Sequence, residues 1–328
     1  MVSDVAHWWR HCNQPAGTVA VMTSAPPRDE RARHWVPGFP LDLGTPLRPL
    51  RRGGQDPAFR QDDHGVWLTA NTPGGPGTLR LRVAAGAVHA TAWGAGAECL
   101  VDGVPELLGA QDDDRDFQAH HPLIAEVRRS RPGLRLGATG RVWDALLAAV
   151  LEQKVTGQEA RQSWRELARR FGVPAPGPAP AGMFVPPTPT AVLGIQDWEW
   201  HRAGVDSARR RAIIAAAQVA GRLERAAELR GVEGRLLLRK VPGIGVWTAA
   251  EVAQRAWGDP DAVSVGDFHI PALVGYALSG RKTDDRGMLD LLAPYAPHRQ
   301  RVVRYIEISG FRKPRFGPRL SVKDYRLL

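Results

Sequence analysis

Between Val66 and Trp93 apolar and polar residues alternate. The pattern is strict in Thr78-Leu79-Arg80-Leu81-Arg82-Val83, which sets Leu79, Leu81 and Val83 on one face of a half-buried strand. Val66-Trp67-Leu68-Thr69-Ala70 precedes it, and the Gly/Pro-rich stretch Asn71 to Gly77 reads as an oversized turn joining two antiparallel strands. Ala87 to Trp93 supplies a third strand, and Ala97 to Leu108 a helix. From His120 the period becomes helical. Val142, Leu146, Ala149 and Val150 form an apolar stripe, with Gln153 on its continuation. Thr156-Gly157-Gln158-Glu159 reads as a capping box opening the next helix, and Val205 to Leu229 is helical again. After Val241-Pro242-Gly243-Ile244-Gly245, apolar residues at 246, 249, 250, 253, 256 and 257 predict a helix with one buried stripe. Trp247, Thr248, Glu251 and Gln254 lie off that stripe. A last helix-like run spans Phe268 to Ser279, with Pro271 in its first turn.

This succession predicts an α+β chain. Residues 1–38 form a poorly ordered segment, 39–115 a small antiparallel β-sheet domain with a covering helix, and 116–328 a mostly α-helical domain. The three acids Asp112, Asp113 and Asp114 mark the boundary, and the proline-rich stretch Pro174 to Pro189 is an extended loop within the helical region. Arg209-Arg210-Arg211 is either a solvated face or a DNA contact. The basic C-terminal tail, with Arg312, Lys313, Arg315, Arg319, Lys323 and Arg326, either follows a phosphate backbone or solubilises the chain.

Composition narrows the function. Lys and Arg outnumber Asp and Glu by 44 to 34, which favours a polyanionic partner. Cys12 and Cys99 are too few for a disulfide framework, a four-cysteine zinc site or an iron–sulfur cluster. No apolar run approaches the ~18 residues of a membrane span. A soluble, intracellular protein is expected.

The richest chemistry lies at the hairpin. Pro242 fixes one φ, while Gly243 and Gly245 permit positive φ or close approach of a ligand to the backbone. A helix starting at Val246 turns its free N–H groups back toward the hairpin, a seat for a phosphate to which Thr248 adds a hydroxyl. Asp267 follows ten residues after Trp257, ahead of the last helical run. It serves as an N-cap, as a catalytic carboxylate, or as both, since helix N–H groups stabilise the negative charge a catalyst needs. His269 is a first-turn helix residue or a phosphate contact.

The VPGIGVWTA segment, with Asp267-Phe268-His269-Ile270 beyond it, resembles the signature of the helix-hairpin-helix (HhH-GPD) DNA glycosylases. The likeness runs from roughly Leu134 to the C-terminus and is closest to the 3-methyladenine DNA glycosylase II branch, whose N-terminal domain is a small β-sheet. It implies hydrolysis of the N-glycosidic bond of an alkylated purine flipped out of damaged double-stranded DNA by a monomer, with Asp267 catalytic and Trp247 stacking on the base. Bifunctional members carry a lysine where Trp247 stands, so the resemblance implies a glycosylase without strand cleavage. It also implies that Gly243, Gly245, Thr248 and His269 contact DNA. By the same likeness the Gln153-Lys154 junction fills the gap left by the base, although Lys154 replaces an apolar residue of the branch. No cofactor is implied beyond a monovalent cation, Na or K, held by the carbonyls of Arg239, Val241 and Ile244. The Asp-x-His of Asp267 to His269 is similar to glycosylases for oxidised bases, which leaves oxidised or deaminated bases as an alternative. An inert DNA-binding protein is another.

Overall fold

The computed structural model describes residues 30–314, so most of the N-terminal segment and the tail from Arg315 lie outside the described residues. Five antiparallel strands, β1 (Glu30–Trp35), β2 (Phe59–Asp62), β3 (Gly65–Thr72), β4 (Gly75–Ala84) and β5 (Ala87–Trp93), form one sheet in the order β1-β5-β4-β3-β2. The alternation places Leu79 and Leu81 in the core, while Val83 near the strand end is exposed. Against the sheet lies α1 (Ala97–Asp102), whose Leu100 packs among Leu79, Val88 and Ala90.

Two expectations are corrected here. The segment read as poorly ordered through residue 38 contributes β1, whose backbone pairs with β5 from Glu30↔Trp93 to Trp35↔Val88. The turn read as oversized is tight: Pro73 and Gly74 alone separate β3 from β4, and the Gly/Pro-rich residues beyond continue the strand. The glycines there serve packing. A Cβ on Gly77 would come within 2.5 Å of Leu100.

The rest of the chain is helical: α2 (Pro122–Ser130), α3 (Val142–Leu151), α4 (Gly157–Phe171), α5 (Ser207–Gln218), α6 (Gly231–Leu238), α7 (Val246–Ala256), α8 (Ile270–Ser279), α9 (Asp285–Leu292) and α10 (Arg299–Ile308), with shorter helical turns between. They enclose two cores. One gathers α3, α4, α5 and α7 around Leu146, Val150, Trp164 and Val252; the other gathers α2, α8, α9 and α10 around Ile124, Val274, Met288 and Val302. Every residue of α3 except Asp144 is buried, so this helix is the axis of its core rather than an amphipathic cover. Its free N-terminal amides are satisfied from a distance: Glu224 accepts from Val142 N–H at 2.9 Å and Trp143 N–H at 2.8 Å. Burial pushes the Glu224 carboxyl up to about 7. The capping box at Thr156 and Glu159 forms as the sequence predicts.

The proline-rich stretch bridges the two regions. Val173–Pro174 pairs with Phe184–Val185, and Met183 packs against Trp67 and Trp93 of the sheet. Asp112 meets Arg301 of α10 in a buried ion pair, with Nη1 2.8 Å from Oδ2. Among the described residues no helix is long and apolar enough to cross a membrane.

Candidate active site

The hairpin between α6 and α7 crosses the surface at residues 239–245. Gly243 has φ +86°, and a Cβ there would sit 2.7 Å from the Ala212 Cβ, so both conformation and packing demand glycine. Gly245 is different. Its backbone is extended and a Cβ would meet nothing within 4 Å, which leaves that face of the hairpin open. No side chain caps α7. The amides of Gly245, Val246 and Trp247 find no acceptor among the described residues and point outward with the positive end of the helix dipole.

Beneath the hairpin, Gln153 donates from Nε2 to Gly243 O at 3.0 Å and to Thr248 Oγ1 at 2.8 Å. This corrects the expectation for Thr248. The residue is 2 % exposed, and its hydroxyl accepts from Gln153 rather than facing a phosphate. The apolar stripe of α7 is rotated accordingly, with Thr248 and Val252 inside and Val246 outside. Gln153 braces the hairpin with both amide hydrogens, and the exposed neighbour Lys154 takes φ +54° where α3 passes into α4. Of the arginine triplet, Arg209 is buried and donates to Leu151 O at 2.9 Å, while Arg210 pairs with Asp197. Neither of these two arginines is free for DNA.

Asp267 reaches the site from the other helical core. Gly266, at φ +89°, turns the chain, and its N–H donates to Asp285 Oδ1 at 2.9 Å. Both oxygens of Asp267 are then held: Oδ1 accepts from His269 N–H at 2.6 Å and Ile270 N–H at 3.0 Å, and Oδ2 accepts from the Trp247 indole at 3.1 Å. Cap and candidate catalyst are thus one side chain. Phe268 is 81 % exposed beside His269, their rings edge to face at 5.0 Å. Lys313, counted with the basic tail in sequence, comes back here: Nζ donates to His269 O at 3.1 Å. Burial draws the Lys313 pKa down, Asp267 opposes that shift, and Lys282 adds to it.

Below the Trp247–Asp267 bond, α7 and the segment 262–267 stay joined. Glu251 takes the Ser264 hydroxyl, and Gln254 donates to Ser264 Oγ and Ala262 O, each at 2.8 Å. A cavity of about 130 Å³ lies one turn below the pair, between α7, α10 and residues 45–50. Its walls include Glu251, Gln254, Arg255, Asp259, Gln300 and Arg304; neither Trp247 nor Asp267 lines it. The carboxylates in the wall are engaged by arginines: Glu251 by Arg255 at 2.7 Å, Glu307 by Arg304 at 3.0 Å and Asp259 by Arg235. Composition and helical period carry no signal for this cavity, since its sides come from residues about 45 to 307. On the hairpin, the carbonyls of Arg239 and Ile244 accept no hydrogen bond among the described residues, and that of Val241 accepts from Ile244 N–H at 3.1 Å.

Comparison of the whole chain with solved structures places the fold. A 3-methyladenine DNA glycosylase from Archaeoglobus fulgidus aligns over 84% of this chain and 96% of its own, at TM-score 0.68 and 14% identity. An 8-oxoguanine glycosylase/lyase from Clostridium acetobutylicum, in complex with double-stranded DNA containing cytosine opposite 8-oxoguanine, aligns over 81% and 90%, at TM-score 0.63 and 12% identity. A protein named MBOgg1, in complex with a low-affinity DNA ligand, aligns over 86% and 95%, at TM-score 0.65 and 15% identity. The fold is shared with these DNA glycosylases. The chain matches no family model and no curated protein.

Proposed function

We propose that this protein is a monofunctional DNA glycosylase that hydrolyses the N-glycosidic bond of alkylated purines flipped out of duplex DNA. The observation that carries the reading is the Trp247–Asp267 hydrogen bond, which holds a carboxylate beside the uncapped N-terminus of α7. The open amides at Gly245 to Trp247, with Lys154 next to the bracing Gln153 and Lys313 bonded at His269, seat the phosphate backbone, contacts that position DNA without reading sequence. A cation on the carbonyls of Arg239, Val241 and Ile244 would add positive charge to that seat.

Cleavage of the bond from C1′ to the base nitrogen leaves positive charge on the sugar. A carboxylate about 4 Å away stabilises that charge by roughly 4 kcal/mol at an effective dielectric near 20, or about a thousandfold in rate. Asp267 also orients the water that adds to C1′. Trp247, standing where a lysine nucleophile would be needed for strand cleavage, leaves hydrolysis as the route. A cationic N-alkyl purine departs as a neutral base without protonation. That suits a cavity whose carboxylates are already engaged by arginines.

The neighbours named for 8-oxoguanine make oxidised bases the competing substrate class. A panel of duplexes, each with one defined lesion, tests the reading under single-turnover conditions. Release of 3-methyladenine or 7-methylguanine ahead of 8-oxoguanine and uracil is expected. Faster release of 8-oxoguanine moves the protein to the competing class, and release of no base removes the enzymatic reading.

A further inference from the structure

The outer face of α4 carries Arg161, Arg165 and Arg169, spaced about one helical turn apart. Arg161 and Arg169 are exposed and Arg165 is half-buried, and none of the three has a hydrogen-bond or ion-pair partner among the described residues. Elsewhere on the surface Arg115 pairs with Asp113, Arg129 with Glu126 and Arg210 with Asp197. The nearby acids do not neutralise the row: Glu159 is held in the capping box and Glu166 pairs with none of the three. Like charges four residues apart on a helix repel each other, and an anion lying across the row removes that repulsion.

The row belongs to a surface built from two elements. Arg52 lies over the Trp164 ring at 4.5 Å, and Asp56 accepts from the Trp164 indole at 2.8 Å, which pins residues 51–56 against α4. Gly53 in that segment lies against the row, since a Cβ on it would come within 2.7 Å of Arg161 Cδ. The exposed Arg51 donates from Nε to Gly53 O at 3.4 Å and so stands beside Arg161. The row also starts near the hairpin. Helix α4 opens at Thr156, two residues after Lys154, and Gln153 bonds to Gly243 O. The Arg161 guanidinium folds back over that first turn, with Nη1 3.0 Å from the place of a Cβ on Gly157.

We infer that this face of α4, with Arg51, is a second phosphate track that holds the backbone of an undamaged duplex arm leading away from the hairpin. The inference rests on duplex DNA as the partner proposed above and extends it to DNA beyond the lesion. From Arg161 to Arg169 is about 12 Å of helix. One strand of a duplex carries a phosphate every ~3.4 Å of axis, so the row faces the phosphates of about three or four nucleotides. Guanidinium groups take phosphate oxygens in pairs, and such contacts are blind to sequence. The track therefore adds affinity for any arm long enough to reach it and makes that affinity salt-dependent.

The triple variant Arg161→Gln, Arg165→Gln, Arg169→Gln, checked for folding by circular dichroism, tests this in two ways. On intact duplex, the slope of log K against log salt is expected to be shallower than in wild type by about two to three. An unchanged slope overturns the inference, whatever the protein does to bases. On duplexes that carry one tetrahydrofuran abasic analogue, each arm is then shortened in turn. Wild type is expected to lose affinity by about tenfold when one particular arm is cut back, and the variant to bind both lengths of that arm within about threefold. Equal sensitivity to shortening in variant and wild type overturns the inference and leaves the glycosylase reading intact. A shallower slope in the variant, together with no base released by wild type from any lesion duplex, keeps the track and removes the glycosylase reading.

Discussion

The Trp247 indole donates to Asp267 Oδ2 at 3.1 Å, and this bond joins two helical bodies with separate cores, since α7 belongs to one and the Asp267 loop to the other. With Oδ1 already held by the His269 and Ile270 amides, the carboxylate has no rotational freedom left. Trp247→Phe keeps an aromatic ring and removes only the donor. Hydrogen bonds to charged groups contribute about 1.5–3 kcal/mol, so the variant should lose up to that much stability in urea unfolding, and single-turnover excision should fall by about tenfold or more. An unchanged rate would mean that the bond does not position Asp267.

The two hairpin glycines should separate binding from stability. Gly245→Ala adds a Cβ into open space, so the fold should be unaffected while affinity for duplex DNA of any sequence drops. Gly243→Ala forces alanine to φ +86° against Ala212 and should cost about 1–3 kcal/mol in urea unfolding. Full DNA affinity in Gly245→Ala would show that the hairpin does not hold the backbone.

Asp267 and Trp247 could be picked out in the sequence because local signals mark them: a helix boundary for one, a position counted from two glycines for the other. Thr248 was misplaced by the same local reasoning. A stripe drawn from apolar letters leaves a threonine outside, yet its hydroxyl is satisfied inside by Gln153, 95 residues away. Strand β1 was missed because its stability comes from pairing with β5 rather than from its own polar sequence, Glu-Arg-Ala-Arg-His-Trp. The cavity and the place of Lys313 depend on contacts between distant segments and leave no periodic trace.

The chemistry at position 247 has a direct readout. With tryptophan in place of an amine nucleophile, the product should be an intact abasic strand, cut only by later alkali or heat. Borohydride should trap no protein–DNA adduct. A trapped adduct with wild-type protein would require a lysine at the sugar, with Lys313 and Lys240 the residues to replace first.

Glu224 should make stability pH-dependent in an unusual direction. Its carboxyl titrates near 7 in the folded protein, against about 4.3 for a free side chain, so the folded state holds the proton more tightly. That contribution is complete below about pH 4 and is lost as pH rises through 7, on the order of 3 kcal/mol in all. Urea unfolding at pH 5.5 and 8.0 should show wild type losing more stability at the higher pH than Glu224→Gln does. Equal losses would place the pH dependence elsewhere.

Asp267→Asn leaves the shape of the site nearly unchanged, although its amide group replaces one oxygen acceptor, and it removes the charge. On a duplex carrying one 7-methylguanine, the variant should bind like wild type and fold like it by circular dichroism. Its single-turnover rate of base release should be lower by about 10² to 10⁴. A rate within threefold of wild type would contradict the assignment of Asp267 as the group that stabilises the departing sugar cation.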